Sequence, residues 1–376
     1  MGEIITGSTP SKSNVEFYGK DYPFFKPSDF EQGYFLENAG DNLSKLGFGK
    51  ARQLPPKTIL VVCIGSLGKV ALTRVIGSCN QQINAIIPHK NIISEYIYYY
   101  CISSKFQSIL FSKAPQTTLA IFNKTEFSKL EIIYPKDIKE QERIVGILDF
   151  AFSKIDENIK KAKENLANID ELMQSALQKA FNPLNDDTKE NYQLPQSWEW
   201  KSLEEISENI SAGGDKPKNC TESKTAKNQI PVYANGVNNN GLVGYTDKAT
   251  IIKPSLTISA RGTIGFVCIR KEPYFPIVRL ISLIPCENIL CLHYLYFCLN
   301  FFIAKGEGSS IPQLTIPKFK SLQIPLPPLK EQEQIAEHLD FVFEKAKALK
   351  ELYTKELKDY EELKQSLLDK AFKGEL

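Results

Sequence analysis

A long segment occurs twice in this chain, and this internal repeat constrains the fold more than any other feature of the sequence. Residues 139–181 align without a gap with residues 330–372, and 19 of the 43 aligned residues are identical. The identical runs include Lys-Glu-Gln-Glu near the start, Leu-Asp-Phe further on and Lys-Ala-Phe at the end. A match of this length indicates one structural element that is used twice.

Both copies have the pattern of a long amphipathic helix. Apolar residues recur at alternating steps of four and three, as in a coiled-coil seam. The seam of the first copy consists of Leu148, Phe152, Ile155, Ile159, Ala162, Leu166, Ile169, Met173, Ala176 and Ala180. The seam of the second consists of Leu339, Phe343, Ala346, Tyr353, Leu357, Tyr360, Leu367 and Ala371, with Lys350 and Lys364 as interruptions. We predict two helices of roughly 60 Å, at about 1.5 Å per residue, that pack as an antiparallel coiled coil.

The segments before the helices carry a second, more divergent repeat. Gly65 and Gly68 align with Gly262 and Gly265 at an offset of 197. The first segment has strand-like runs at 58–64, 70–72, 83–87 and 130–134 and a helical run at 92–111. The counterparts in the second are strands at 257–260, 266–268, 280–284 and 322–324 and a helix at 289–303. The second segment also opens with residues 194–203, which the first lacks, so we expect a less complete edge in the first.

The predicted fold class is therefore α+β, with a pseudo-twofold internal repeat. Two globular α/β units, residues 1–138 and 182–329, are separated and followed by long helices at 139–181 and 330–376.

Composition and charge limit the possible functions. The chain has 42% hydrophobic residues, no run of 18 apolar residues and no signal-peptide pattern, so we expect a cytoplasmic protein. Its eight cysteines form no Cys-x-x-Cys pair and are predicted to be buried and reduced. The globular segments have net charges of +4 and +2, and the helices −1 and −3. This partition is compatible with globular units that bind phosphate, although differences of this size also arise by chance.

No catalytic or metal-binding signature is present. The run from Gly65 to Val70 is too short for a phosphate-binding loop, and the three histidines lack cysteines at metal spacing. Asp156, Glu157, Asp170 and Glu171 lie on the helix, where solvated charge is expected. The turns, by contrast, are rich in Asn, Gln, Lys, Arg and Ser/Thr, which bind base edges and phosphates but also occur in ordinary loops. If these turns bind nucleic acid, the chain is a DNA-binding protein. Two other classes of protein remain open. One is a coiled-coil adaptor that presents two ligand-binding domains without binding DNA, and the other is an enzyme with a novel active site.

The organisation of the chain resembles the specificity subunit of a type I restriction–modification system. The resemblance is carried by two variable globular units, each followed by a copy of one helix that begins with Lys-Glu-Gln-Glu at 139–142 and 330–333. The prolines before each helix, the helix ends at 174–181 and 365–372, the Trp198-Glu199-Trp200 run and residues 79–88 are also similar to the family.

This resemblance implies two target-recognition domains, residues 1–138 and 182–329, which each read one half of a split asymmetric sequence in double-stranded DNA. It implies that the spacer helices, 139–181 and 330–376, dock two modification (methyltransferase) subunits, and that restriction subunits join them. It implies no catalytic residue, no metal site, no cofactor on this chain and no membrane partner; AdoMet, ATP and Mg²⁺ belong to the partner subunits. The two readers are expected to lie about one duplex turn, ~34 Å, apart.

The expected DNA-binding residues are the polar side chains of the turns. In the first unit they are Thr9, Ser11, Lys12, Ser66, Lys69, Gln81, Gln82, Gln116 and Thr117. In the second they are Lys216, Lys218, Asn238, Asn239, Arg261, Thr263, Arg279 and Ser309.

Overall fold

The computed structural model describes residues 1–113, 121–184, 192–304 and 314–376. The first half contains β1 (Gly2–Thr6), β2 (Tyr18–Phe25), β3 (Phe35–Leu36), β4 (Asp41–Leu43), α1 (Lys45–Lys50), β5 (Ile59–Val62), β6 (Val70–Thr73), β7 (Ser78–Cys79), β8 (Ile83–Pro88), α2 (Ser94–Ile102), α3 (Ser104–Lys113), α4 (Lys124–Ser128) and the long helix α5 (Ile138–Phe181). The second half contains β9 (Glu199–Ser202), α6 (Leu203–Ile206), β10 (Ser207–Ala212), β11 (Ile230–Tyr233), β12 (Leu242–Thr246), β13 (Ser255–Ile258), β14 (Val267–Arg270), β15 (Phe275–Pro276), β16 (Ile281–Pro285), α7 (Leu292–Ala304), α8 (Ile316–Lys320), β17 (Gln323–Leu326) and the long helix α9 (Leu329–Lys373). Short 3₁₀ helices lie at Val15–Phe17, Pro27–Gln32 and Asn238–Gly241.

The chain forms two compact units, and each contains one globular segment with part of both long helices. Unit 1 consists of residues 1–163 and 354–376, and unit 2 consists of residues 164–353. Within the described ranges, no helix is both long enough and apolar enough to cross a membrane.

The two globular segments share one sheet topology. The strand order is β1-β8-β5-β6-β3 in unit 1 and β10-β16-β13-β14 in unit 2. The first four strands of unit 1 therefore have counterparts in the same order, all with antiparallel neighbours. The divergent repeat predicted from the aligned glycines and the matching strand runs is confirmed by this shared topology.

Each main sheet is covered by its own helices and by both long helices. In unit 1, Ile59 and Val61 of β5 pack in the core with α2 and with Leu148 and Leu368 of the long helices. Leu60 and Val62 point to the opposite face and enter a second apolar cluster, because side chains alternate along a strand. In unit 2 the corresponding core joins β13 and α7 to Leu177 and Leu339.

The long helices pack as predicted within each unit, and no residue of either predicted seam is exposed. In unit 1 they are antiparallel, because Arg143 bonds the Leu376 carbonyl while Asp156 pairs with Lys364. In unit 2 Lys350 pairs with Asp170. The lysines that interrupt the second seam are thus neutralised by carboxylates of the facing helix. Asp156 and Asp170 are exposed, as expected for solvated charge, and each also forms an ion pair with the facing helix.

A fully buried glutamine fastens the start of each long helix to its globular segment. The Gln141 amide oxygen accepts a hydrogen bond from the Ile93 N–H at 3.0 Å, and its nitrogen donates to the carbonyls of Asn91 and Pro135. The Gln332 oxygen accepts from the Cys291 N–H at 2.9 Å. Its nitrogen donates to the carbonyls of Ile289 and Pro327. The repeated Lys-Glu-Gln-Glu run therefore carries the same junction twice.

The phenylalanine at the end of each long helix packs into a globular core. Phe181 meets Tyr294 edge-to-face at 5.4 Å between ring centroids in unit 2. Phe372 meets Tyr96 in the same way at 5.3 Å in unit 1. Helix α5 thus begins at the core of unit 1 and ends in the core of unit 2. Helix α9 begins at the core of unit 2 and ends in the core of unit 1. The repeated Lys-Ala-Phe run marks these two ends.

Two predicted elements are wrong. The helix expected at 92–111 breaks at Ser103, which has extended backbone angles and donates its hydroxyl to the Tyr100 carbonyl. The strand expected at 130–134 is absent, and Ile133 is 72% exposed. Its counterpart β17 pairs with β9 in unit 2, whereas no strand of the described chain pairs with residues 130–134. A strand needs such a partner for its backbone N–H and C=O groups.

Candidate nucleic-acid interface

Four loops of unit 2 meet at one edge of its main sheet. Ala212 of β10 and Ile258 of β13 both pair with Ile281 of β16. The last residues of β10 and β13 and the first residue of β16 therefore lie side by side, and the loops attached to them lie at the same edge of the sheet. We call residues 213–218, 235–241, 259–265 and 278–279 the second loop surface. The Val278 N–H donates to the Gly214 carbonyl at 2.8 Å, so two of these loops are joined directly.

Asn235 connects the other loops to this pair. Its amide nitrogen donates to the Val278 carbonyl at 2.7 Å, and its oxygen accepts from the Ala260 N–H at 2.8 Å. The Ser259 hydroxyl accepts from the Gly236 N–H. The loops are therefore held in one arrangement by hydrogen bonds among themselves.

The second loop surface brings together seven of the eight residues predicted for this unit. All seven are exposed: Lys216, Lys218, Asn238, Asn239, Arg261, Thr263 and Arg279. The eighth, Ser309, lies outside the described residues. This surface carries four cationic side chains and one carboxylate, that of Asp215. Such a mixture of amides, hydroxyls and cations can bind both phosphates and base edges. Contact of these residues with DNA stays a prediction.

A buried arginine that the sequence did not single out supports the turn at Asn238–Gly241. Arg270 donates from Nε to the Thr257 hydroxyl at 3.0 Å and from a terminal nitrogen to the Asn240 carbonyl at 2.6 Å. Its guanidinium stacks 3.6 Å from the Tyr233 ring centre. Asn239 and Asn240 adopt left-handed backbone angles, which asparagine tolerates. The only sequence signal is a charged residue at the end of an apolar strand.

Val278 and Arg279 adopt left-handed backbone angles in succession, with φ of 54° and 60°. Such a conformation is costly for a β-branched residue, and this strain often occurs at functional sites. The N–H groups of both residues bond the carbonyls of Gly214 and Gly213, which holds the pair in place. Val278 is 51% exposed beside Arg279, so sequence reasoning missed an apolar residue on this surface.

The strain at Val278 predicts that Val278→Gly stabilises unit 2 by about 1 kcal/mol, because glycine adopts positive φ without steric cost. Val237 lies on the same loop surface, is similarly exposed, and has a φ of −90°. Val237→Gly is the matched control and should cost about 0.5–1 kcal/mol. Urea unfolding measures both changes. Equal destabilisation by the two substitutions would contradict the strain.

The corresponding loops of unit 1 form the first loop surface, which we define as residues 7–13, 63–69 and 79–82. Thr6 pairs with Asn84 and Val62 with Ile83, so these loops also leave one edge of the sheet. The Thr9 hydroxyl donates to the Gln81 amide oxygen. Arg52, which was not predicted, donates to the Thr6 carbonyl next to this surface at 2.5 Å.

The first loop surface holds seven of the nine residues predicted for unit 1. Thr9, Ser11, Lys12, Ser66 and Gln81 are exposed. Lys69 pairs with Glu31, and Gln82 bonds Asn80 and the Ile64 carbonyl, so both side chains already have partners within the chain. Gln116 and Thr117 lie outside the described residues.

A second candidate surface lies on the long helices and occurs in both copies. Phe150 and Phe341 occupy equivalent positions of the repeat and are 68% and 59% exposed. Each is followed four residues later by a lysine, Lys154 or Lys345. Single exposed apolar side chains are common, but the repetition of an exposed phenylalanine at both equivalent positions makes this position a candidate contact site.

Among the described residues, no three His, Cys, Asp or Glu side chains are grouped closely enough to hold a metal ion. Burial raises the pKa of the Cys63 thiol to about 12, which leaves it protonated at neutral pH.

Comparison with known proteins identifies the family. The sequence profile described as "Type I restriction modification DNA specificity domain" matches residues 1–168 and 195–358. The type I restriction enzyme HindI specificity subunit of Haemophilus influenzae is 38% identical over 164 residues, which cover 42% of this chain and 36% of that protein. The chain thus spans little more than a third of the length of that relative.

Two solved structures show the same fold. One, described as "Structural basis underlying complex assembly and conformational transition of the type I R-M system", has a TM-score of 0.74 at 20% identity over 87% of this chain and 84% of the other. The HsdS subunit from Thermoanaerobacter tengcongensis has a TM-score of 0.55 at 21% identity over 87% of this chain and 83% of the other. Because the family profile covers most of both halves, this chain belongs to the type I restriction modification DNA specificity domain family.

Proposed function

We propose that this chain is the DNA sequence-specificity subunit of a type I restriction–modification enzyme and reads a split, asymmetric duplex sequence. The observation that carries this proposal is the pair of loop surfaces, which extend from equivalent strands of one repeated scaffold but differ in their residues. Two equal scaffolds with unequal loops suit the reading of two different half-sites. Residues 1–138 and 182–329 act as the target-recognition domains, and residues 139–181 and 330–376 as the spacer helices.

The chain acts in this proposal as a non-catalytic subunit. Two modification (methyltransferase) subunits dock on it, restriction subunits complete the enzyme, and AdoMet, ATP and Mg²⁺ are bound by those partners. Support for two identical partners comes from Phe150 and Phe341, which give the two copies of the helix the same exposed anchor.

Selection of bound duplexes from a random pool tests the proposal, with the chain alone and with its methyltransferase partner. We expect enrichment of two short half-sites at one fixed spacing. A correctly assembled complex that enriches no sequence would favour the adaptor that does not bind DNA.

Substitutions in each loop surface assign the half-sites in the same selection. If Arg261 contacts a guanine, Arg261→Ala costs ~1–3 kcal/mol of binding and relaxes one base position of one half-site. Thr9→Ala, on the first loop surface, should affect only the other half-site. A loss that is uniform across sequences would make Arg261 a phosphate contact instead.

A further inference from the structure

A cavity of about 590 Å³ lies within unit 1, and Lys69 at the end of the first loop surface reaches its rim. Its walls come from the loop before β3, from β6 and α2, and from the parts of both long helices that belong to this unit. The residues that matter for its chemistry are Glu31, Tyr34, Tyr98, Tyr99, Asp149, Phe152, Asp156, Glu361, Lys364 and Gln365.

One wall of the cavity is aromatic. Tyr34 stacks on Tyr98 with ring centroids 4.0 Å apart, and Tyr98 meets Tyr99 edge-to-face at 5.4 Å. Tyr99 in turn meets Phe152 of α5 at 5.3 Å. Ring faces of this kind attract cations through their negative quadrupole.

The charged groups of the cavity leave an excess of carboxylates. Lys364 is paired with Asp156, and Lys69 at the rim is paired with Glu31. Asp149 and Glu361 also line the cavity, and neither has an ion pair in the described part of the chain. The Tyr99 hydroxyl donates to one oxygen of Asp149 at 2.5 Å. Four carboxylates therefore face two ammonium groups.

Two polar atoms at the cavity are buried without a hydrogen-bond partner, the Tyr34 hydroxyl and the Gln365 amide oxygen. Buried polar atoms are almost always paired, so a bound group that pairs with these two atoms fits at this place. An amide oxygen can only accept, so it requires a donor. Burial and the Asp149 carboxylate raise the pKa of Tyr34, which keeps this phenol neutral.

The corresponding place in unit 2 lacks this arrangement. Asp340 is the repeat equivalent of Asp149, and its carboxylate lies 2.7 Å from Nδ1 of His293. Ile93 and Cys291 are equivalent, because their N–H groups bond Gln141 and Gln332 in the same way. Counting six residues on from each matches Tyr99 with Phe297, which has no hydroxyl group. The cavity chemistry is thus a property of the first unit.

We propose that this cavity binds an organic cation through its guanidinium or ammonium group. The N–H donors of the cation bond Asp149 and the Gln365 oxygen, its charge compensates Asp149 and Glu361, and its flat or aliphatic part lies against the tyrosines. The cation is either a free polyamine or a side chain of a partner subunit, since both offer the same group.

Ligand-observed NMR titration of the full chain with methylguanidinium and with spermidine tests the site. Both probes should bind the native chain, and Asp149→Asn should weaken binding by about tenfold, because it removes one charge but retains an acceptor for Tyr99. Asp340→Asn is the matched control and should bind as the native chain does. Thermal unfolding of both variants checks that the fold is intact.

A repeat of the titration in the complex with methyltransferase subunits distinguishes the two sources. Loss of probe binding on assembly identifies a partner side chain as the occupant, and retained binding identifies a free cation. Absence of binding to the native chain, or equal binding to native and Asp149→Asn chains, overturns the site. The titration contains no DNA, so its failure is separate from failure of the duplex selection.

Discussion

Gln141→Leu and Gln332→Leu are each expected to lower the free energy of unfolding of their own unit by about 2–4 kcal/mol. Each glutamine is fully buried and satisfies one backbone N–H and two carbonyls. Leucine has a similar volume but no hydrogen-bonding group, so all three backbone groups lose their partner. The expected loss of unfolding free energy is smaller than the sum of three separate unsatisfied groups, because carbonyls near the surface can bond water instead.

Urea unfolding followed by two probes, one in each unit, measures this effect. Gln141→Leu should shift the transition of unit 1 and Gln332→Leu that of unit 2, because each junction lies within one unit. Glu142→Gln and Glu333→Gln change the exposed next residue of the same repeated run and should alter stability by less than about 0.5 kcal/mol. If the leucine variants unfold like these controls, the junction does not stabilise the fold.

The long helices could be predicted because their evidence is local. The alternation of apolar residues defines the buried face of each helix, and the structure exposes none of the seam residues. The role of Gln141 within the same repeat could not be predicted, because its partners Asn91 and Ile93 are about 50 residues away along the chain. Sequence identity marked this residue as important without indicating its contacts.

The matching succession of strands and helices along the two globular segments could be predicted from the divergent repeat, but the strand at 130–134 did not form. Its apolar pattern is similar to that of residues 322–326, which contain β17, and the two segments differ in that only β17 has a partner strand, β9. Strand formation depends on a neighbour, so a correct local pattern gave a wrong element.

The candidate loops could be located from their composition. The contacts and backbone angles of the individual loop residues could not be predicted. Lys69 is an ordinary loop lysine in the sequence, yet it pairs with Glu31 of the 3₁₀ helix at Pro27–Gln32. Val278 gives no sequence signal of a positive φ, since that conformation is held by the hydrogen bond from its N–H to the Gly214 carbonyl and by the bond from the Arg279 N–H to Gly213. Such properties arise only when separate loops are brought to one edge of a sheet.

Phe150→Glu and Phe341→Glu are expected to remove one methyltransferase subunit each from the proposed assembly, and the double variant to remove both. Exposed aromatic anchors at interfaces typically contribute about 2–4 kcal/mol, so each affinity should fall by roughly 30- to 1,000-fold. Both side chains are mostly exposed, so the substitutions should leave the free energy of unfolding nearly unchanged.

Native mass spectrometry of the reconstituted complex counts the bound subunits directly. Leu352 provides the matched control, because it is 58% exposed on the same helix but corresponds to Lys161 in the other copy. A residue that differs between the copies cannot contribute equally to two identical contacts, so Leu352→Glu should leave two partners bound. If the Phe150→Glu/Phe341→Glu chain still binds two subunits at native affinity, the repeated phenylalanines are not the anchors. A chain that loses both partners only in the double variant would instead indicate one interface shared by both helices.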